Sequence, residues 1–159
     1  MATDPRYFPS NGAYIAVPGT IYAQCIETCP NPCRKYHVST AVDGAEAVAG
    51  VVLPFLAARR IFHKVVQSRS LLIRQTYKQE KTYGDQAGKF ITIYMPANVE
   101  QRNDTIRELG QQLSALARQG AATPCPRIPR SRSHGHVFAE QPLDEDFFIY
   151  GGFLCDPSE

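Results

Sequence analysis

The sequence predicts one α+β domain, built on a mixed or antiparallel sheet with two main helices packed against it. Three observations carry that expectation. The chain has 159 residues, 43% of them hydrophobic and 20% charged, which suits a single domain able to bury a core. Two strand-helix-strand units can be traced, over residues 35–66 and 89–150, and such runs pack helices on a sheet. No P-loop, GxGxxG or zincin motif and no repeat at solenoid periods is present, so the common nucleotide-binding and array architectures are set aside.

Residues 1–33 carry Pro5, Pro9, Pro18, Pro30 and Pro32. They read as an irregular N-terminal segment with at most one edge strand, around Tyr14 to Val17. From Lys35 to Ser39 polar and apolar residues alternate. That is strand periodicity, with Lys35, His37 and Ser39 on one face and Tyr36 and Val38 turned to the core. Asp43 followed by Glu46 resembles a capping box. Ala45, Val48, Ala49, Val52 and Leu56 then recur at helical spacing up to Ala58, with Pro54 expected to bend or shorten the helix.

Ile61 to Val66 reads as a second strand, with Lys64 on the face of Phe62 and Val66 and His63 on the opposite, structural face. Residues 68–88 read as a short strand or helix start running into a loop. Lys89 to Tyr94 is rich in β-branched and aromatic residues and reads as a strand. A second helix opens at Asn98 with Gln101 in the capping position, buries Ile106, Leu109, Leu113 and Leu116, and stops at Gly120. The stretch 121–136, AATPCPRIPRSRSHGH, has loop composition, and Phe147 to Tyr150 is a last strand ended by Gly151 and Gly152. These readings divide the chain into an N-terminal segment 1–33, a domain 34–154 and a tail 155–159.

Seventeen Lys+Arg against fifteen Asp+Glu leave a net charge of +2, too little for a general nucleic-acid binder that works by phosphate neutralisation. No apolar run approaches a membrane span, and residues 1–7 lack the pattern of a secretory signal, so a cytoplasmic protein with no membrane partner is expected. Five cysteines stand at 25, 29, 33, 125 and 155, an odd number that argues against a disulfide framework. The C-x3-C-x3-C series lacks the tight CxxC spacing and fourth ligand of a zinc site, so neither metal nor cofactor is expected.

The strand readings collect Lys35, His37 and Lys64, with Arg69, Arg74, Lys89, Arg130 and Arg132 on neighbouring segments. Cations of this kind suit a phosphate monoester: arginine forks onto its oxygens, lysine supplies a point charge, and histidine can protonate a leaving oxygen. The sequence has neither a carboxylate cluster for Mg2+ nor a C-x5-R phosphate loop. Elimination therefore fits better than hydrolysis. A lysine crowded by cations and partly buried can remove the α-proton of a phosphorylated serine or threonine.

The runs CRKYHVSTAVDGAEAV, RRIFHKVVQSRSLL, GKFITIYMPANVEQ and FFIYGGF, with the proline- and arginine-rich stretch before the last, resemble in order and spacing the N-terminal lyase domain of class III and class IV lanthipeptide synthetases. That domain is similar in turn to the phosphothreonine lyase effectors of type III secretion. The resemblance spans roughly residues 33 to 153. It implies a phosphoserine/phosphothreonine lyase with Lys64 as α-proton base, His37 as the acid on the departing phosphate, and Lys35 on the phosphate or carbonyl. It also implies Arg69 as a phosphate ligand and Tyr83 as a loop tyrosine, with Tyr77 and Lys81 as rivals. Arg132, with Arg130 as second choice, stands for the family's arginine in the PRSRS stretch. Where the family has an arginine before the tyrosine-glycine pair, this chain has Ile149; Arg130, His134 or His136 could compensate.

The implied substrate is a phosphorylated precursor peptide, and the implied partners are a separate Ser/Thr kinase and a cyclase. Two other readings stay open: a weakened lyase-like module that binds a phosphopeptide or scaffolds a kinase, favoured by Ile149, and a secreted effector.

Overall fold

The structure, a computed structural model, describes residues 4–30, 33–77, 88–96, 99–125, 130–133, 136–139 and 148–155. Its centre is a six-stranded sheet in which every pairing is antiparallel. The strands are β1 (Tyr14–Ala16), β2 (Tyr22–Cys25), β3 (Cys33–Val38), β4 (Phe62–Val66), β5 (Ile91–Pro96) and β8 (Ile149–Cys155), in the spatial order β1-β2-β4-β5-β3-β8. The described helices are α1 (Ala45–Ala58), α2 (Arg69–Tyr77) and α3 (Val99–Arg118). Strands β6 (Arg130–Ser133) and β7 (His136–Ala139) pair as a separate hairpin. The α+β class and the single domain expected from the sequence are what the molecule shows.

One face of the sheet makes the core. Tyr36 and Val38 of β3, Val65 of β4 and Ile91, Ile93 and Met95 of β5 pack with Val48, Val52 and Leu56 of α1 and Ile106, Leu109 and Leu113 of α3. The stripe of α3 recurs at helical spacing, and Gly120, at φ 72°, takes the left-handed turn that stops the chain after it. The opposite face of the same strands carries Lys35, His37, Lys64 and Thr92 beside a smaller buried cluster that includes Cys33, Phe62 and Tyr94.

Several local expectations need correction. The N-terminal segment supplies two strands rather than one. β1 lies at the sheet edge as expected, but Tyr22 to Cys25 adds β2, paired with β4 from far along the chain. The Asp43–Glu46 box does not cap α1: the helix follows a 3-10 turn, Val42–Gly44, with Gly44 at its N-cap and no side-chain cap bond. Asp43 turns instead to Arg69. Nor does Pro54 shorten α1. It and Gly50, whose carbonyl loses its helical donor, both lie on the exposed side, where water can satisfy that oxygen.

The stretch 121–136, expected to be loop, contains β6 and the start of β7. Gly151 and Gly152 do not end the last strand. Its register with β3 shifts between Lys35 and Tyr36, and Gly151 at φ 104° carries the chain through the irregularity as far as Cys155.

α2 settles the segment after β4 as a helix. Leu72, Gln75 and Thr76 are its buried residues. The Asp4 carboxylate accepts hydrogen bonds from the Ser70 N–H at 2.9 Å and the Ser70 hydroxyl at 2.6 Å, tying the N-terminal segment to the helix start.

Candidate active site

Strand register sets one row of side chains across the polar face. Gln24 of β2 pairs with Lys64 of β4, Lys64 with Thr92 of β5, Thr92 with His37 of β3, and His37 with Tyr150 of β8. Residues directly opposite in neighbouring strands share a face, so Lys64 and His37 flank Thr92 on either side. In the adjacent row Phe62, Tyr94 and Lys35 stand in register.

The Tyr94 ring joins the two rows. The Lys35 Nζ lies 5.3 Å and the Lys64 Nζ 5.2 Å from its centroid, within the range of cation-π attraction. Phe62 backs the same ring at 5.2 Å between centroids. His37 is 4% exposed, and its Nδ1 shares a 3.1 Å hydrogen bond with the Thr92 hydroxyl, which fixes the imidazole plane. Burial lowers the pKa of Lys64 below its ordinary value, and the like charge of Lys35 lowers it further, against an opposing effect of Cys29. The arrangement thus offers an amine biased toward its neutral, basic form, a second ammonium group beside it, and an oriented imidazole.

The other residues singled out from the sequence lie as follows. Arg69 opens α2 just beyond β4; it is exposed, with its Nη2 3.6 Å from the Asp43 Oδ1. Arg130 and Arg132 stand in β6, in register with Ala139 and Val137 of β7, and His136 opens β7 opposite Ser133. Tyr83, its rival Lys81 and His134 lie outside the described residues. Tyr77 ends α2 and is exposed, as is Arg74, while Lys89 is buried and its carbonyl accepts bonds from Tyr22 and Gln75.

Ile149 requires a correction. It pairs with Val38 on the core face and is fully buried in the hydrophobic cluster, so it does not border the row of Lys64 and His37. The β8 residue that joins that row is Tyr150.

His63 belongs to the opposite face and has a structural part. It is fully buried, and its Nδ1 lies 2.7 Å from the Ile61 carbonyl, which can only accept, so Nδ1 carries the proton. Its Nε2 therefore accepts from the Tyr14 hydroxyl at 2.7 Å. Burial lowers its pKa from the ordinary value, which favours the neutral ring. Among the described residues no cluster of His, Cys, Asp and Glu is arranged to hold a metal ion, and no helix is long and apolar enough to cross a membrane.

Sequence reading missed Thr92, Tyr94 and Tyr150. GKFITIYMP is apolar at almost every position, so alternation could not assign its faces. Only the pairing of β5 with β3 and β4 shows that Thr92 and Tyr94 border the lysines.

Comparison with curated proteins returned no match. Among solved structures, the type III effector and phosphothreonine lyase OspF from Shigella flexneri is similar in fold, with a TM-score of 0.57 at 14% sequence identity over 96% of this chain and 77% of that one. The family described as RamC, N-terminal domain, matches residues 22–129, a span that holds Lys35, His37, Lys64 and Arg69. The relation read from the sequence, to synthetase N-terminal domains and phosphothreonine lyases, is thereby borne out at the level of family and fold. On the extent of that match, the chain belongs to the RamC N-terminal domain family.

Proposed function

We propose that the protein is a lyase that eliminates phosphate from phosphoserine or phosphothreonine in a peptide, leaving dehydroalanine or dehydrobutyrine. The observation that carries this is the row itself: a lysine whose pKa is lowered and an oriented histidine on either side of Thr92, with a second lysine one row away. In the proposed step the neutral Lys64 amine takes the α-proton. The electron pair left on Cα forms the Cα–Cβ double bond, the Cβ–O bond breaks, and His37 gives a proton to the departing phosphate. Lys35 stabilises negative charge on the phosphate or the adjoining carbonyl. Every proton and electron pair is accounted for by the substrate and these side chains, so the chemistry calls for no metal.

In this reading Arg69, Arg130 and Arg132 are further phosphate ligands and Tyr83 is a site residue. The substrate is a phosphorylated precursor peptide of lanthipeptide type, phosphorylated by a separate kinase, matured by a cyclase and handled in the cytoplasm. The binding-module alternative drew on Ile149 as a cation lost from the phosphate site. Its core position removes that support.

The test is incubation with a phosphothreonine peptide in the presence of a chelator. Release of phosphate with a dehydroamino acid in the mass spectrum is expected, and Lys64→Ala should lower the rate by about 100- to 10,000-fold while binding persists. Recovery of the plain hydroxyl residue, or equal turnover by Lys64→Ala, would overturn the assignment.

A further inference from the structure

A cavity of about 270 Å³ lies at the Pro96 end of β5, the end away from Arg69. Its lining is cationic: Arg59, Arg60 and Arg102 all border it, Thr28 and Thr105 stand beside them, and among the described residues no acidic one lines it. Arg102 is 8% exposed, yet its Nε and Nη1 have no hydrogen-bond partner. A buried guanidinium left in that state is costly, since its donors have lost water and gained no acceptor.

Arg59 is already engaged, donating to the Phe55 carbonyl at 3.0 Å and to Glu108 at 3.1 Å. Arg60 holds φ 54°, a left-handed conformation that a glycine would adopt with less strain. It is exposed and borders the cavity. With Arg59 taken up by Glu108, Arg60 and Arg102 are the lining cations without an acidic partner among the described residues, and they define a place for an anion.

Tyr94 is a wall of this cavity and also the ring over which Lys35 and Lys64 sit. From the row of Thr92 to Pro96 is roughly 13 Å along β5, which an extended peptide spans in about four residues. We propose that the cavity is a subsite for the carboxylate of an acidic residue in the bound peptide, roughly three or four residues from the phosphorylated one. This rests on the lyase reading for the identity of the peptide; the anion site itself rests on Arg102 and its neighbours.

The experiment uses short synthetic peptides with a central phosphothreonine, in which glutamate is moved through the flanking positions and compared with glutamine. Affinity is measured by fluorescence anisotropy on Lys64→Ala protein, so that turnover does not consume the ligand. At one position glutamate should bind tighter by roughly ten- to a hundredfold, the worth of a well-placed charge-assisted hydrogen bond. Adding Arg102→Gln should erase that ratio while leaving the glutamine peptide unaffected. Adding Arg60→Gly, which relaxes the backbone, should reduce the ratio by up to about fivefold. If Arg102→Gln does not fold, the Arg60→Gly ratio decides.

A flat scan, or a preference that survives the substitution, overturns the proposal. Arg102-dependent binding of a second phosphoserine in place of glutamate, at higher affinity, overturns its carboxylate part. Phosphate release by the wild-type protein is followed separately. An Arg102-dependent preference without any release sinks the lyase reading and keeps the subsite; release without the preference does the reverse.

Discussion

Lys64 and Lys35 address the same aromatic ring, so neither ammonium group can be considered apart from the other. Burial and the neighbouring charge both favour the neutral form of Lys64. A base must be neutral to act, so kcat/KM should rise with pH along a limb whose midpoint lies below the ordinary 10.5 of a lysine. Lys35→Met removes the like charge and keeps the burial, so the midpoint should move upward and the rate near neutrality should fall. A pH–rate profile whose midpoint is the same in both proteins would remove Lys64 as the titrating base. Ile149 gives a second test at this scale. Ile149→Arg would bring an unpaired charge into the cluster around Val38, and a loss of about 3–5 kcal/mol in urea-unfolding stability is expected, with no gain in phosphopeptide affinity.

Among the elements, the junction between β3 and α1 is closely packed. Gly44 sits at the N-cap of α1, and a Cβ built there would stand 2.8 Å from the Cα of Ala122. The segment beyond α3 is held against this junction by the Ala41 N–H donating to the Thr123 carbonyl at 2.8 Å. Gly44→Ala must therefore displace backbone, and about 1–3 kcal/mol of stability should be lost, read as a lower midpoint in thermal unfolding. Helix α3 was legible in the sequence because its apolar stripe and Gly120 are local signals. Strand β2 was not: four residues between turns acquire their meaning from β4. The last strand was legible as a strand, but its run through two glycines depends on a register shift against β3 that no local pattern announces.

For the molecule as a whole, class and site were legible to different depths. Periodicity gave an α+β domain, and alternation within single strands put Lys35 with His37 and separated Lys64 from His63. The order of strands could not be read that way, since β4 and β3 become near neighbours only through β5. Hence Thr92 and Tyr94, which link the two strands chemically, stay hidden in the sequence, and nothing local shows that Ile149 faces the core rather than the phosphate site. The arginines of β6 join a hairpin whose own pairing is local, and the sequence carries no signal of where such a hairpin docks.

The row from Gln24 through Lys64, Thr92 and His37 to Tyr150 draws on strands spread from near the start of the chain to near its end. In folding kinetics this makes the acid-base pair a late product, since each pairing in the row closes a long loop before any contact repays the lost entropy. During synthesis Lys35 and His37 emerge more than a hundred residues ahead of β8. Until β8 docks, β3 presents an unpaired edge with an apolar opposite face, open to strand addition by another nascent copy. The strand that carries Tyr150 into the site is also the one that covers the edge of β3.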